Sequence, residues 1–354
     1  MSVLTRLTVR NLRLNRKRTI VTIIGIILSG AMICGVASLV ASFQDMLIRS
    51  AELTDGKQHA TFEDVPYEGI SAIADHAFTK TAMLSRDVGA ARLEGVKHEH
   101  RPYLFILAYD AEAFRHLPLT LREGRFPERE GEIVVSEELL SHGGAALRIG
   151  DTFTVEVGQR IDEQGVRLGH LPLTATETLA VERTETYTVT GIIERPHFQS
   201  YDQPGYTAVA FLEAGSLRPG DLTDVSIVAA NPRKIYEMVP KLAGLAGASA
   251  YQYNSELLRW MGITNNAGLS DTIETIGLII TLLVVVGSVS VIYNAFAISV
   301  NERKKQFGML ASVGATRRQI RSMVFLEGLL LGIIGIPIGI ASGIGGIAVT
   351  LEVV

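Results

Sequence analysis

Ile273–Val349 holds two long apolar runs divided by a short basic one, Asn301-Glu-Arg-Lys-Lys-Gln-Phe-Gly followed by Ala315-Thr-Arg-Arg-Gln-Ile-Arg321. A helix needs roughly 20 apolar residues to cross about 30 Å of hydrocarbon, and each run is long enough. The pattern is that of a membrane hairpin with a cytoplasmic loop. Residues 273–300 and 323–349 are the two spans, and 301–322 is the loop, with Arg303, Lys304, Lys305, Arg317, Arg318 and Arg321 against Glu302 alone. An excess of Lys and Arg in short loops marks the cytoplasmic side.

A further apolar run occupies residues 19–43, behind a segment, 1–18, that carries six basic residues and no acidic one. It exceeds the h-region of a signal peptide, roughly 7–15 residues, so it reads as a retained first span. By the same charge rule the N-terminus is cytoplasmic. The first span then leads out and the second leads back, which places residues 44–271 outside. Val3, Leu4, Leu7 and Leu14 share one side of a helical wheel, which suits a helix lying on the inner membrane surface; an unstructured basic topology signal fits the same residues.

The apolar fraction of 47% and mean hydropathy of +0.26 average over two materials, almost purely apolar spans and an intervening region of ordinary soluble composition. The formal charge of −4, with cations gathered at the membrane ends, speaks against a nucleic-acid partner. Cys34 is the only cysteine, so there is no intrachain disulfide and no paired-cysteine metal site.

Within 44–271, Glu132–Ser136, Thr152–Val157, Tyr187–Ile193 and Tyr206–Leu212 have strand composition, and Asp110–His116 and Ser136–Ser141 read as short helices entered through Asp and Ser caps. The expected fold class is membrane α-helical, three transmembrane helices, with a large α+β extracytoplasmic domain of largely antiparallel sheet between the first and second. Arg160–Thr186, rich in Thr and Glu, reads as a long surface hairpin loop. Trp260 suits either an interfacial aromatic or a core residue.

Catalytic signatures are missing. Gly56-Lys57 lacks the rest of a phosphate-binding loop, and neither a Gly-x-Ser-x-Gly elbow nor a His-Glu-x-x-His pair occurs. His98-Glu99-His100, flanked by Lys97 and Arg101, reads as a solvated loop tip and not as a metal site. No convergent polar cluster marks a substrate site. Gly328, Gly332, Gly335, Gly339 and Gly343 recur every three or four residues, a stripe on which another helix can approach closely, and Pro337 is expected to kink that helix. Gly314-Ala315-Thr316 breaks the loop into two helical pieces, with Thr316 capping the second. The loop's charges serve either to fix topology or to offer a short helix to a cytoplasmic partner.

Ile298-Ser-Val-Asn-Glu-Arg-Lys-Lys-Gln-Phe-Gly-Met-Leu-Ala-Ser-Val-Gly-Ala-Thr-Arg-Arg-Gln-Ile, with Glu327-Gly after it, resembles the signature of FtsX-like/MacB-type ABC transporter permeases. Asn11–Ile26 resembles that family's elbow helix and first span, and Leu121–Pro127, Gly131–Ser136, Ile149–Asp151 and Tyr187–Ile193 resemble the MacB-like external core domain. The resemblance implies a permease subunit, not itself an enzyme, in a bacterial cell membrane. Its partners would be a separate ABC-type ATPase carrying ATP and Mg, a second permease copy or half, and the lipid bilayer. It assigns coupling to the ATPase to Glu302, Arg303, Lys304, Phe307, Gly308, Gly314 and Ala315, while the five glycines carry helix packing. Transmission of ATP-driven motion for export or removal of peptides, antibiotics or lipid-linked compounds is the expected role; the alternative is a non-transporting regulator of an external cell-wall enzyme. Gln306 stands where many members have Glu. The family module usually has a fourth span, for which Thr350–Val354 leaves no room, so the expectation is a fragment or the N-terminal part of a longer permease.

Overall fold

The computed structural model describes residues 3–265, 267–302 and 304–353. In chain order its helices are α1 (Val3–Leu14), α2 (Arg16–Asp55), α3 (Ile70–Ala74), α4 (Ala113–His116), α5 (Glu137–Ser141), α6 (Ile235–Ala246), α7 (Ser255–Trp260), α8 (Ala267–Glu302), α9 (Lys304–Ser312) and α10 (Arg317–Val353). The strands are β1 (Ala60–Pro66), β2 (Thr79–Arg92), β3 (Tyr103–Tyr109), β4 (Leu121–Gly124), β5 (Glu132–Ser136), β6 (Thr152–Ile161), β7 (Thr178–Ile193), β8 (Gly205–Phe211), β9 (Leu222–Ala229) and β10 (Ala250–Tyr253). The chain divides into a membrane unit, Met1–Met46 with Asn266–Val354, and a soluble unit, Leu47–Asn265.

Among the described residues three helical stretches are long and apolar enough to cross a membrane, Thr19–Asp55, Gly277–Asn294 and Arg317–Gly346. The helices that carry them, α2, α8 and α10, outrun the apolar runs 19–43, 273–300 and 323–349. The first helix continues past residue 43 because Gln44–Asp55 contains no Gly or Pro and supplies good helix formers, so helical structure reaches well into the stretch read from composition as the outer domain.

In the membrane unit α2 and α10 run parallel. A Cβ added at Gly335 would meet Ile26, one at Gly339 would meet Ile27 and Gly30, and one at Gly343 would meet Ala31 and Cys34, so residue numbers rise together on both helices. Among the described side chains of α10 the buried positions are Met323, Glu327, Leu331, Gly335, Gly339 and Gly343. Their spacing is four throughout, an i±4 ridge of the kind that interdigitates with a neighbouring helix. Gly332 falls one residue off that ridge and an added Cβ there would meet only Ile336 of its own helix, while Gly328 lines an open groove with Arg321, Phe325 and Leu329. Of the stripe of five glycines read from the sequence, three therefore lie against α2 and Gly332 lies off that contact.

In the soluble unit a ten-stranded sheet has the order β10-β1-β9-β2-β3-β8-β5-β7-β4, and β6 pairs with both β2 and β7. Those pairings close six strands, β2-β3-β8-β5-β7-β6, into a ring. Only β3·β8 and β5·β7 are parallel. Strand β2 serves two edges because it bends at a bulge between Asp87 and Gly89, and Gly89 takes a φ of 123° there with Gly158 O close by. β5 is buried on both faces, Ile133 and Val135 in the main core and Val134 in a second core with Met83, Phe114 and Val209, which is why Glu132–Ser136 shows no polar alternation. Helix α6 lays Ile235, Val239, Leu242 and Ala246 into the main core.

Two expectations are corrected. Arg160–Thr186 is loop only over 162–177: β7 begins at Thr178 and pairs with β6 in a ladder running from Thr152↔Thr188 to Ile161↔Thr178. Residues 178–186 are mostly exposed, so no buried face imposes a hydrophobic alternation, and the stretch looks like loop by composition. Cross-strand hydroxyl pairs, Thr154 with Thr186 at 2.9 Å among them, help tie it. Ser136 does not cap α5 with its hydroxyl, which is buried without a partner. Asp110 does cap, its Oδ1 accepting from Ala113 N at 2.7 Å. Trp260 ends α7, partly exposed, with the Arg259 guanidinium 5.5 Å from its ring. His98-Glu99-His100 lies in an exposed turn between β2 and β3.

His59 lies where α2 gives way to β1, 6% exposed, with Nδ1 accepting from Ala229 N at 2.9 Å. Burial lowers its pKa from 6.5 to about 4. The unfolded chain then binds the proton and the folded one does not between those values, so stability rises with pH across that window and is lost as pH falls through it. Denaturation followed by Trp260, the only tryptophan, is expected to show a loss of about 2 kcal/mol between about pH 7 and pH 4.5, and a His59→Phe variant a flatter profile.

Candidate functional site

The basic loop between α8 and α10 forms a corner built by local rules. α9 ends in a Schellman motif: Ala315 N donates to Leu310 O at 3.0 Å and Gly314 N to Ala311 O at 3.1 Å, with Gly314 at φ 97°. A side chain in that left-handed conformation costs about 1–2 kcal/mol, which is why Gly314 stands there. One residue on, Thr316-Arg-Arg-Gln319 makes a reciprocal capping box: Gln319 N donates to Thr316 Oγ1 at 3.3 Å, and Thr316 N to Gln319 Oε1 at 2.8 Å. The bonds at both helix ends close within six residues, so the direction of α10 relative to α9 is set locally.

The coupling residues expected from the sequence spread around this corner. Lys304 is exposed at the start of α9, Phe307 is half-buried, Gly308 is exposed with open space around an added Cβ, Gly314 is exposed and Ala315 half-buried. Arg303 lies outside the described residues, as does the side chain of Glu302. Met309 and Val313, not singled out from the sequence, are 62% and 87% exposed. They are four apart and, with Lys305, form one row on α9 beside Gly308. The signal for them was the apolar residue at each of two helical neighbours in an otherwise basic loop. Among the described residues, none of Lys304, Lys305, Arg317, Arg318 or Arg321 makes an ion pair. The corner thus offers a small apolar row ringed by cations.

Because α2 and α10 run parallel, the starts of both helices lie at the same end of the membrane unit. The N-terminal basic segment and the α9 corner therefore share that end, and α1 packs against α10. Among the described residues no group of three or more His, Cys, Asp or Glu side chains could hold a metal ion.

Residues 19–241 match the family model of the MacB-like periplasmic core domain, and residues 278–353 match that of the FtsX-like permease C-terminal region. The chain belongs to the FtsX/MacB-type ABC permease family. The permease is 34% identical over 91 residues to the macrolide export ATP-binding/permease protein MacB of Agrobacterium fabrum, a match covering 23% of the permease and 14% of that protein. It is 38% identical over 87 residues to YknZ, an uncharacterized ABC transporter permease of Bacillus subtilis, covering 25% and 21%. The matched stretches thus span less than a quarter of these relatives. Among solved structures, the extracellular domain of YknZ aligns with a TM-score of 0.35 and 13% identity, over 55% of the permease and 98% of that domain. The periplasmic region of MacB from Actinobacillus actinomycetemcomitans aligns with a TM-score of 0.35 and 9% identity, over 59% and 94%. The permease is a membrane protein with a large external α+β domain between its first and second spans.

Proposed function

We propose that the α9 corner is the docking point of a separate ABC-type ATPase, carrying ATP and Mg²⁺, and that the permease passes the motion of that ATPase to its large domain. The observation that carries this reading is the doubly capped corner with Gly308, Met309 and Val313 exposed on it. A corner held by backbone bonds at the end of α9 and by the Thr316–Gln319 side-chain caps at the start of α10 moves as a unit with α10, and α10 is seated on α2 through Gly335, Gly339 and Gly343. α2 is one continuous helix whose last turns, from Leu47, belong to the soluble unit. For nucleotide to act through this path, the ATPase must bind two arrangements of the corner with different affinity.

In this reading the shared basic end is cytoplasmic, which agrees with the excess of Lys and Arg there. Handling of peptides, antibiotics or lipid-linked compounds outside the cytoplasm is the role that follows, with Glu302, Arg303 and Lys304 orienting the ATPase, Phe307, Met309 and Val313 supplying apolar contact, and Gly308 leaving room for it. A second permease copy or half completes the assembly.

Co-purification of the detergent-solubilised chain with cellular ABC ATPases tests the reading. Wild type is expected to retain a specific ATPase, and Gly308→Trp, or Glu302→Lys with it, to retain about tenfold less or none. Because the space at Gly308 is open, the tryptophan variant is expected to keep its α-helical content. Equal retention by wild type and variant, or no ATPase with either, would sink the proposal.

A further inference from the structure

The junction of α1 and α2 holds a concavity of about 610 Å³ lined by Arg13, Leu14, Asn15, Arg16 and Lys17. Arg13, Arg16 and Lys17 are exposed, and among the described residues none of them makes an ion pair. No acidic residue occurs in the sequence before Asp45, so neutralisation from this segment is not available. Leu14, 75% exposed, contributes an apolar wall. The corner has a defined shape: Thr19 Oγ1 lies 3.0 Å from Leu12 O and 3.1 Å from Asn15 O, and Thr19 N donates to Asn15 O at 3.1 Å. One threonine thereby ties the end of α1 to the start of α2, and α1 in turn packs on α10. Three cations are consequently held around one hollow, immediately before the apolar run that begins at Thr19.

We propose that this junction is a binding site for the phosphate-bearing headgroup of an anionic phospholipid. An occupant must be anionic, because three unpaired cations surround it. It must also tolerate an apolar wall and sit at the boundary of a membrane span, where a headgroup is delivered and its acyl chains continue along α2. Cations near a membrane surface each favour anionic lipid, and a preformed hollow adds selectivity for one headgroup over diffuse attraction. The site is independent of the ATPase reading and of which side the N-terminus occupies.

The test uses the full chain in neutral detergent and native mass spectrometry with short-chain phosphatidylglycerol or phosphatidylcholine. Phosphatidylglycerol is expected to bind about tenfold more tightly than phosphatidylcholine, and Arg13→Gln/Arg16→Gln/Lys17→Gln to remove that preference. Arg317→Gln/Arg318→Gln/Arg321→Gln, which removes the same charge at the α9 corner, is expected to keep it. Loss of preference in both variants would mean diffuse charge attraction and would overturn the site, as would no preference in the wild type. Equal competition by glycerol phosphate would assign the hollow to a free phosphate and overturn the lipid assignment. Should the glutamine variant aggregate, photo-crosslinking of a benzophenone-bearing phosphatidylglycerol to the wild type decides the matter. Label on the peptide containing residues 13–17 supports the site, and label only elsewhere rules it out.

Discussion

Glu177→Ala is expected to destabilise the soluble unit by about 3–5 kcal/mol, the range for breaking a buried ion pair from one side. The Arg160 side chain is 0% exposed and that of Glu177 3%. Arg160 donates from Nε to Glu177 Oε1 at 2.8 Å and from Nη2 to Oε2 at 2.6 Å, a bidentate fork, and from Nη1 to Gly169 O and Leu171 O, both at 2.8 Å. Its guanidinium also sits 5.1 Å from the Tyr103 ring centroid. Burial by itself would raise the Glu177 carboxyl, but the Arg160 hydrogen bonds, the Thr174 amide and the Arg160 charge outweigh it and hold the carboxyl below its usual value. The pair thus contributes above the ordinary carboxylate range, and its contribution is lost as pH falls through the lowered folded value. Removing Glu177 alone strands a charge with no water to solvate it. Arg160→Met/Glu177→Leu is expected to recover most of the loss, since an apolar pair of similar volume carries no desolvation penalty. Chemical denaturation followed by Trp260 measures both; a Glu177→Ala loss under about 1 kcal/mol would show that water reaches the pair.

Gly339→Ala and Gly343→Ala are each expected to cost about 1–3 kcal/mol and to loosen α2 from α10. A Cβ at Gly339 would stand 2.8 Å from Ile27 O and 3.1 Å from Gly30 Cα, and one at Gly343 would stand 2.7 Å from Ala31 O and 2.9 Å from Cys34 Cβ. Most of these neighbours are backbone atoms, so relief requires a helix to move and not a side chain to turn. Cys34, the only cysteine, lies in this contact and reports on it. Its maleimide labelling in detergent is expected to accelerate several-fold in either variant. Gly345→Ala, where an added Cβ meets nothing within 4 Å, is expected to leave labelling unchanged. Equal labelling in all three would mean that α2 and α10 do not associate through this ridge.

Both features show where reading residues in order stops short. Arg160 and Glu177 are 17 residues apart in a stretch whose polar composition suggests solvent, and only the β6–β7 ladder with its closing loop, 162–177, brings them together. The glycine stripe is visible as spacing, but a spacing of three and one of four are equally small-residue patterns. Which glycines become the ridge depends on the crossing of α10 over α2, and that crossing takes Gly335, Gly339 and Gly343 and leaves Gly332 off it. At the α9 corner the opposite holds. Gly314 and Thr316 announced their turn and cap because the bonds they make close within six residues.

The sequence by itself determined the three membrane spans, the identity of the soluble insertion and the turn between α9 and α10, since apolar length, charge placement and capping are local quantities. The tertiary structure alone decided that α10 seats Gly335, Gly339 and Gly343 on α2, that six strands close into a ring, and that a charged pair is buried beneath a hairpin. Each of these depends on which distant segment covers a face, and burial by a distant segment leaves no mark in the local order of residues.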